Sequence, residues 1–193
     1  MAGIILAGGK SSRMGRDKAM LPWGKTTLLG HMVSVVRSVT DQVIIVADVP
    51  DKYSVTGVDR VVADELPGLG PLGGILTGLS FVEAQYHYVV GCDLPFLKPE
   101  VLRLVMQMAG GHEACIPSIE GRLEPLCGVY HGTCQSTFRK VVSDGEDLSL
   151  HMALKLLALK VVTQDQLRQV DPELESFTNL NTLEDYVRAN PPG

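Results

Sequence analysis

The chain has 193 residues, an apolar fraction of 45%, a charged fraction of 20% and a net charge of -5, the profile of one ordinary globular domain with a core of its own. The acidic balance argues against a general nucleic-acid binder, and no run approaches the ~20 apolar residues of a membrane span, so neither nucleic acid nor membrane is an expected partner. Residues 3–7 are too few for the apolar part of a signal peptide, and Cys92, Cys115, Cys127 and Cys134 lack paired CxxC spacing and sit in or beside apolar runs, so a cytoplasmic chain with buried free thiols is expected.

Residues 3–7 (Gly-Ile-Ile-Leu-Ala) are apolar without alternation, as a strand buried on both faces requires. The strand runs straight into Gly8 and Gly9 and then into Lys10, Ser11, Ser12, Arg13, Arg16 and Lys18. Glycines let the backbone approach an anion and aim N–H groups at it, while Arg13, Arg16 and Lys18 supply countercharge. In an acidic protein, so local a concentration of positive charge points to a small anionic ligand. From 26 to 39, Leu28, Leu29, Met32, Val36 and Val39 recur at helical spacing and predict an amphipathic crossover helix. Residues 42–47 read as the second strand and 60–63 as a short third one, ending at Asp64. A glycine-rich stretch, Leu66-Pro-Gly-Leu-Gly-Pro-Leu-Gly-Gly74, leads into a helix expected over 71–82, since proline is tolerated in a first turn.

Residues 86–91 form a fourth predicted strand, closed by Cys92-Asp93-Leu94-Pro95, and 99–108 place Val101, Leu102, Val105 and Met106 on one side of a helix. Short strands at 114–116 and 127–130 flank the polar segment 118–124, helices at about 132–142 and 148–157 follow, and 160–163 is strand-like. Near the end, Thr182 with Asp185 resembles a capping box opening a last helix, and 189–193 read as frayed. Strand and helix alternate through the first two thirds, with no linker and no repeat. The expected fold is a single-domain, Rossmann-like α/β open sheet, mostly parallel, with helices on both faces. Such sheets bind ligands outside the carboxyl ends of their strands. The loops 8–18 and 64–74 and the residue Asp93 all follow strands.

Three glycine patterns compete for the phosphate site. The P-loop fails: Gly9-Lys10-Ser11 needs a glycine at position 4, which is Ile4, and Gly24-Lys25-Thr26 needs one at 19, which is Ala19. Gly68-Leu-Gly70-Pro-Leu-Gly73 fits the dinucleotide fingerprint and is followed by Asp93, which would imply a nicotinamide or flavin oxidoreductase. Against it, residues 64–67 separate the glycines from the strand, and a cationic glycine loop comes earlier in the chain.

The third pattern, Leu6-Ala-Gly-Gly-x-Ser-x-Arg-Met-Gly-x-Asp-Lys18, resembles the signature of sugar-nucleotide-type nucleotidyltransferases, and its Met-Gly-x-Asp-Lys ending is similar to the molybdenum cofactor guanylyltransferases (MobA family). Gly70-Pro-Leu-Gly-Gly-Ile75, Cys92-Asp-Leu-Pro-Phe96, Glu124-Pro-Leu-Cys-Gly-Val-Tyr130 and Phe177-Thr-Asn-Leu-Asn-Thr182 agree, so the resemblance spans residues 3–187. It implies transfer of GMP from GTP to the terminal phosphate of molybdopterin, with Mg²⁺ as cofactor, forming molybdopterin guanine dinucleotide and releasing pyrophosphate. The residues are compatible with this chemistry: no catalytic triad or paired acid and base is evident, only cations, glycines and isolated carboxylates at strand ends.

The resemblance assigns roles residue by residue. Lys18 contacts the triphosphate and Arg13 clamps the pyrophosphate; the alternative for each is a solvated surface cation. Leu6, Ala7, Gly8 and Gly9 lie against the nucleotide through backbone groups, with ordinary core packing the other reading of Leu6 and Ala7. Gly70 and Gly73 run along the guanosine. Asp93 holds Mg²⁺ and Asp64 touches the nucleotide, although either aspartate could simply cap a turn. Asn179 and Asn181, alternating on an extended segment, face the pterin, unless Asn181 caps the last helix. Arg122, with Glu124, binds the acceptor or forms a polar hairpin tip. About 1–95 would then serve the nucleotide and about 96–188 the acceptor. Transient contacts with molybdoenzymes or other cofactor-biosynthesis proteins are implied as well. Where members of the family carry an asparagine at the end of the second strand, this chain reads Val46-Ala47-Asp48, and Asp48 is not given that role. Cytidylyl transfer to molybdopterin, nucleotidyl transfer to another phosphorylated small molecule, and a non-catalytic nucleotide-binding protein are the alternatives.

Overall fold

The computed structural model describes residues 1–8, 17–145, 147–180 and 182–189. Its spine is β1 (Ala2–Leu6), in which all five residues are buried. The residues alternate between two cores. Ile5 joins Leu29, Met32, Val101 and Leu102 on one face of the sheet, while Ile4 and Leu6 join Leu72, Ile75 and Leu154 on the other. A strand that feeds both faces has no polar side to spare, which is why its sequence does not alternate.

After β1 come a two-residue hairpin, β2 (Pro22–Trp23) and β3 (Thr26–Thr27), then α1 (Leu28–Arg37), β4 (Val43–Ala47), β5 (Arg60–Ala63), α2 (Gly70–Phe81) and β6 (Tyr86–Gly91). The remainder is α3 (Pro99–Met108), β7 (Ala114–Ile119), β8 (Arg122–Leu123), β9 (Cys127–His131), α4 (Cys134–Asp144), α5 (Leu150–Lys155), β10 (Leu159–Val162), α6 (Gln164–Leu167) and α7 (Leu183–Ala189). The main sheet has the order β10-β7-β9-β6-β1-β4-β5, with β8 hairpinned onto β7. The pairs β1–β4, β1–β6, β4–β5 and β7–β10 are parallel, and β9 runs antiparallel to both β6 and β7. The expected mostly parallel sheet with helices on both faces is thus present: α1 and α3 cover one face and α2, α4 and α5 the other.

The order of the strands creates the crevice. From β1 the chain moves through α1 to β4 and β5 on one side, then returns through α2 to β6 on the other. Neighbouring connections therefore diverge at the carboxyl ends of β1 and β6, the switch point at which open α/β sheets bind ligands. Helix α2 lies close to this point because small residues face β1: a Cβ at Gly78 would come within 2.5 Å of Ile4 Cγ2, and one at Gly74 within 3.2 Å of Leu6 Cδ2.

Element boundaries differ modestly from the sequence expectation. Helix α1 starts at Leu28 rather than 26, because Thr26 and Thr27 pair with Trp23 and Pro22 and the Thr27 hydroxyl then caps the helix by accepting from Gly30 N at 3.1 Å. The expected capping box at the last helix is formed: Thr182 N donates to Asp185 Oδ2 at 2.8 Å and Asp185 N to Thr182 Oγ1 at 3.1 Å. Buried Asp171 directs the chain into that last segment. It pairs with Lys98 Nζ at 2.7 Å and accepts from Ser176 N at 2.9 Å, fixing 171–177 beside the start of α3.

Candidate active site

The polar residues of the crevice are presented by the ends of β1, β5 and β6. Lys18 opens a single 3-10 turn, Lys18–Met20, whose cap is Asp17. Its ammonium lies 3.7 Å from Asp93 Oδ2, with the lysine side chain 12% and the aspartate 33% exposed. Two residues 75 positions apart in sequence thus meet across the switch point. Gly9, Arg13 and Asn181, expected at the nucleotide or the pterin, lie outside the described residues.

Around this pair the backbone is largely committed. Cys92 N donates to Leu6 O at 3.2 Å, Ala7 N donates to Val46 O at 2.9 Å, and Ala7 O accepts from the Tyr53 hydroxyl. Leu6 and Ala7 are also buried in the core, so their structural role is plain whatever else they do. Gly8 has little room for a side chain, since a Cβ there would sit 3.0 Å from Asp48 Oδ1. Asp64 forms a turn of its own. Its Oδ1 accepts from Leu66 N at 2.9 Å and from Thr77 Oγ1 at 3.1 Å, and Thr77 Oγ1 accepts from Glu65 N. That network ties the end of β5 to α2, and it is the turn-forming role weighed for Asp64. Gly70 adopts φ +55, a left-handed conformation suited to glycine, and a Cβ on Gly73 would lie 2.6 Å from Leu66 O. Both glycines are thereby explained by the turn that starts α2.

On the far side of Asp93, Leu180 N donates to Asp93 O at 3.1 Å. This bond carries Asn179 and Leu180 to the crevice, with Asn179 half-buried and its Nδ2 3.5 Å from Phe177 O. The β6–β9 ladder continues past Val90↔Cys127 through Gly91 N to Leu126 O at 2.9 Å, so Asp93 and Glu124 leave these strands at facing ends. Burial, and then the negative charge of Asp93, push the Glu124 carboxyl above its usual range, and Arg122 partly offsets this. Arg122 is exposed on β8.

Two features of the site carry no local sequence signal. Trp23, in the hairpin after Lys18, stacks edge-on against Phe96 at 5.6 Å and lies 6.4 Å from Tyr186 of α7, while His31 Nε2–H donates to Pro95 O at 2.7 Å. These contacts join the segments that bear Lys18, Asp93 and Asn179. The second feature is Tyr53, whose hydroxyl reaches both Asp17 and Ala7. The other polar candidates are inert. Cys115, Cys127 and Cys134 are buried free thiols and Cys92 is half-buried, with burial pushing Cys92 up to about 12 and Cys115 up to about 11.

Among the described residues no three His, Cys, Asp or Glu side chains converge on one point. Asp93 offers a carboxylate oxygen, a hard ligand suited to a divalent cation that completes its shell with phosphate oxygens and water, while the neighbouring Lys18 ammonium is suited to a phosphate oxygen. Chemically, the arrangement can neutralise a polyphosphate and hold it at the end of β1. Among the described residues it offers no activated nucleophile.

Comparison with known proteins supports this reading at two levels. The fold is that of nucleotidyltransferases: 2-C-methyl-D-erythritol 4-phosphate cytidylyltransferase from Thermus thermophilus superimposes with a TM-score of 0.71 over 97% of this chain and 96% of its own, at 15% identity. More narrowly, residues 3–159 match the MobA-like NTP transferase domain, and the chain belongs to that family. Relatives include a probable molybdenum cofactor guanylyltransferase of Bacillus anthracis, 32% identical over 97% of this chain and 94% of its own. Another, of Natranaerobius thermophilus and carrying the same name, is 33% identical over 98% of this chain and 94% of its own. The crystal structure of molybdopterin-guanine dinucleotide biosynthesis protein A from Archaeoglobus fulgidus aligns with a TM-score of 0.82 and 25% identity, covering 98% of this chain and 97% of that one. The oxidoreductase reading of Gly68, Gly70 and Gly73 is set aside by the family match. No described helix is long and apolar enough to cross a membrane.

Proposed function

We propose that this enzyme joins GMP from GTP to the terminal phosphate of molybdopterin, forming molybdopterin guanine dinucleotide and releasing pyrophosphate. The observation that carries the reading is the meeting of Lys18 with Asp93 at the switch point of a sheet whose family is NTP transferase. In the reaction an oxygen of the acceptor phosphate attacks the α-phosphorus of GTP in line. A new P–O–P linkage forms, the bond to the bridging α–β oxygen breaks, and its electron pair leaves with pyrophosphate. The nucleophile is already anionic near neutral pH, so the protein's task is to bring two anions together and stabilise the leaving group, not to remove a proton.

Lys18 faces the triphosphate and neutralises charge that grows on it, and Arg13 grips the pyrophosphate oxygens bidentately. Asp93 holds Mg²⁺, which bound there would polarise the α-phosphoryl group. Leu6, Ala7, Gly8, Gly9, Asp64, Gly70 and Gly73 surround the nucleoside. The acceptor lies on the other side of Asp93, against Asn179, Asn181 and Arg122. Residues from about 1 to 95 thus serve the donor, and those from about 96 to 188 the acceptor. The product passes, in the cytoplasm, to molybdoenzymes or other cofactor-biosynthesis proteins by transient contact.

The test is pyrophosphate release by the purified protein with molybdopterin and Mg²⁺, one nucleoside triphosphate at a time. Release with GTP is expected. Release with CTP and not GTP would move the assignment to cytidylyl transfer.

A further inference from the structure

We propose that Tyr53 is a positioning residue for the donor nucleotide: its hydroxyl clips together the two ends of the connection between β1 and Lys18 and thereby holds Lys18 against the crevice. This rests on the donor-site reading of Lys18 given above. Ala7 leaves the sheet at one end of the connection, its N–H spent on Val46 O at 2.9 Å. Asp17 stands at the other end. Tyr53 Oη lies 2.7 Å from Asp17 Oδ2 and 3.1 Å from Ala7 O, reaching across 36 and 46 positions of sequence. A phenol has one proton to give; the shorter, charge-assisted contact to Asp17 takes most of it, and the Ala7 carbonyl shares it. Burial, and then the Asp17 carboxylate, raise the phenol above its ordinary range, so it stays protonated and serves as the donor.

The anchor is rigid. Tyr53 follows the 3-10 turn Pro50–Lys52, its N–H donates to Pro50 O at 3.0 Å, and its ring packs against the core that contains Leu29, Met32 and Val33. From Asp17 the constraint passes directly to Lys18. Asp17 Oδ1 accepts from Ala19 N at 3.1 Å, and Leu21 N closes the turn on Lys18 O at 3.1 Å. With one Asp17 oxygen held by Ala19 N–H and the other by the Tyr53 hydroxyl, the neighbouring Lys18 ammonium reaches Asp93 Oδ2 at 3.7 Å. A buried phenol needs a partner wherever it sits; here the two partners are the two ends of the connection that leads to Lys18.

Tyr53→Phe removes the hydroxyl and keeps the ring, so the packing survives. GTP binding in the presence of Mg²⁺ is to be measured by titration calorimetry on the wild type, Tyr53→Phe, Lys18→Ala and the double variant, with melting temperatures recorded alongside. The expected result is a loss of about five- to tenfold in GTP affinity for Tyr53→Phe, the net size of one ordinary hydrogen bond. No further loss beyond about twofold is expected when the same change is made in the Lys18→Ala background. Wild-type affinity in Tyr53→Phe would overturn the proposal. An equal loss with and without Lys18 would overturn it too, because the hydroxyl would then act independently of Lys18. If the wild type binds CTP and not GTP, the guanylyl assignment fails, and the same four proteins titrated with CTP decide on the clip.

Discussion

On the proposed donor side of the crevice these described polar groups already have partners: Lys18 meets Asp93, Asp17 holds Tyr53, and Asp64 accepts from both Leu66 N and Thr77. On the proposed acceptor side the same chemistry is looser. Arg122 is exposed on a two-residue strand, the Glu124 carboxyl is partly buried near the Asp93 carboxylate, and the contact of Asn179 Nδ2 with Phe177 O is long, at 3.5 Å. The difference matches the proposed reaction. A triphosphate must be gripped before its α-phosphorus is attacked, so preorganised charge is most valuable there. An acceptor that arrives second can be met by side chains that settle around it.

This contrast can be broken most easily at its strongest point. Asp93→Asn should lower Mg²⁺-dependent turnover by about a thousandfold, the upper end of what one preorganised charge contributes. It should also weaken Mn²⁺ binding to the GTP-loaded protein as read by electron paramagnetic resonance. Full turnover in that variant would remove Asp93 from the metal. Lys18→Ala should cost about a hundredfold in kcat/KM for GTP, with little change in the KM of the acceptor. Arg122→Ala should do the reverse at smaller scale, raising the KM for molybdopterin about fivefold, as for an exposed charged contact. If it altered the KM for GTP instead, the division into two sides would be wrong.

The smallest effect concerns stability. His87, on β6, is 1% exposed and its Nε2–H donates to Val82 O at 3.0 Å. Burial pushes its pKa below the ordinary value, outweighing the pull of the Val82 carbonyl. The unfolded chain, titrating near 6.5, therefore takes up a proton before the folded one does. Stability is full above about pH 6.5 and declines as the pH falls below that. The melting temperature of the wild type should drop between pH 7 and pH 5, and His87→Gln should show a flatter slope over the same range. Equal slopes would locate the acid sensitivity elsewhere.

Much of this architecture is legible in the sequence because it depends on short-range pattern. β1 and β4 are unbroken apolar runs, β6 is interrupted only by His87, and the repeat from Leu28 to Val36 gives α1. Asp93 stands out as a charge at the end of a buried strand. The hairpin of β2 and β3 is too short to show a period, and α6, with four residues, is no longer than a turn. Thr77 and Tyr53 are illegible for another reason: each is one polar residue whose partner lies 12 to 46 positions away. The glycines of 68–74 are visible in sequence but ambiguous. Only the structure shows that Gly73 is pressed against the Leu66 carbonyl.

The central claim is that the nucleotide donor lies between Lys18 and Asp93. A crystal structure of the protein with GTP and Mg²⁺ tests it directly. The account predicts the triphosphate beside the Lys18 ammonium, the metal on Asp93, and the guanosine along Gly8 and the start of α2. A nucleotide bound on the opposite side of Asp93, against Arg122 and Asn179, would contradict it.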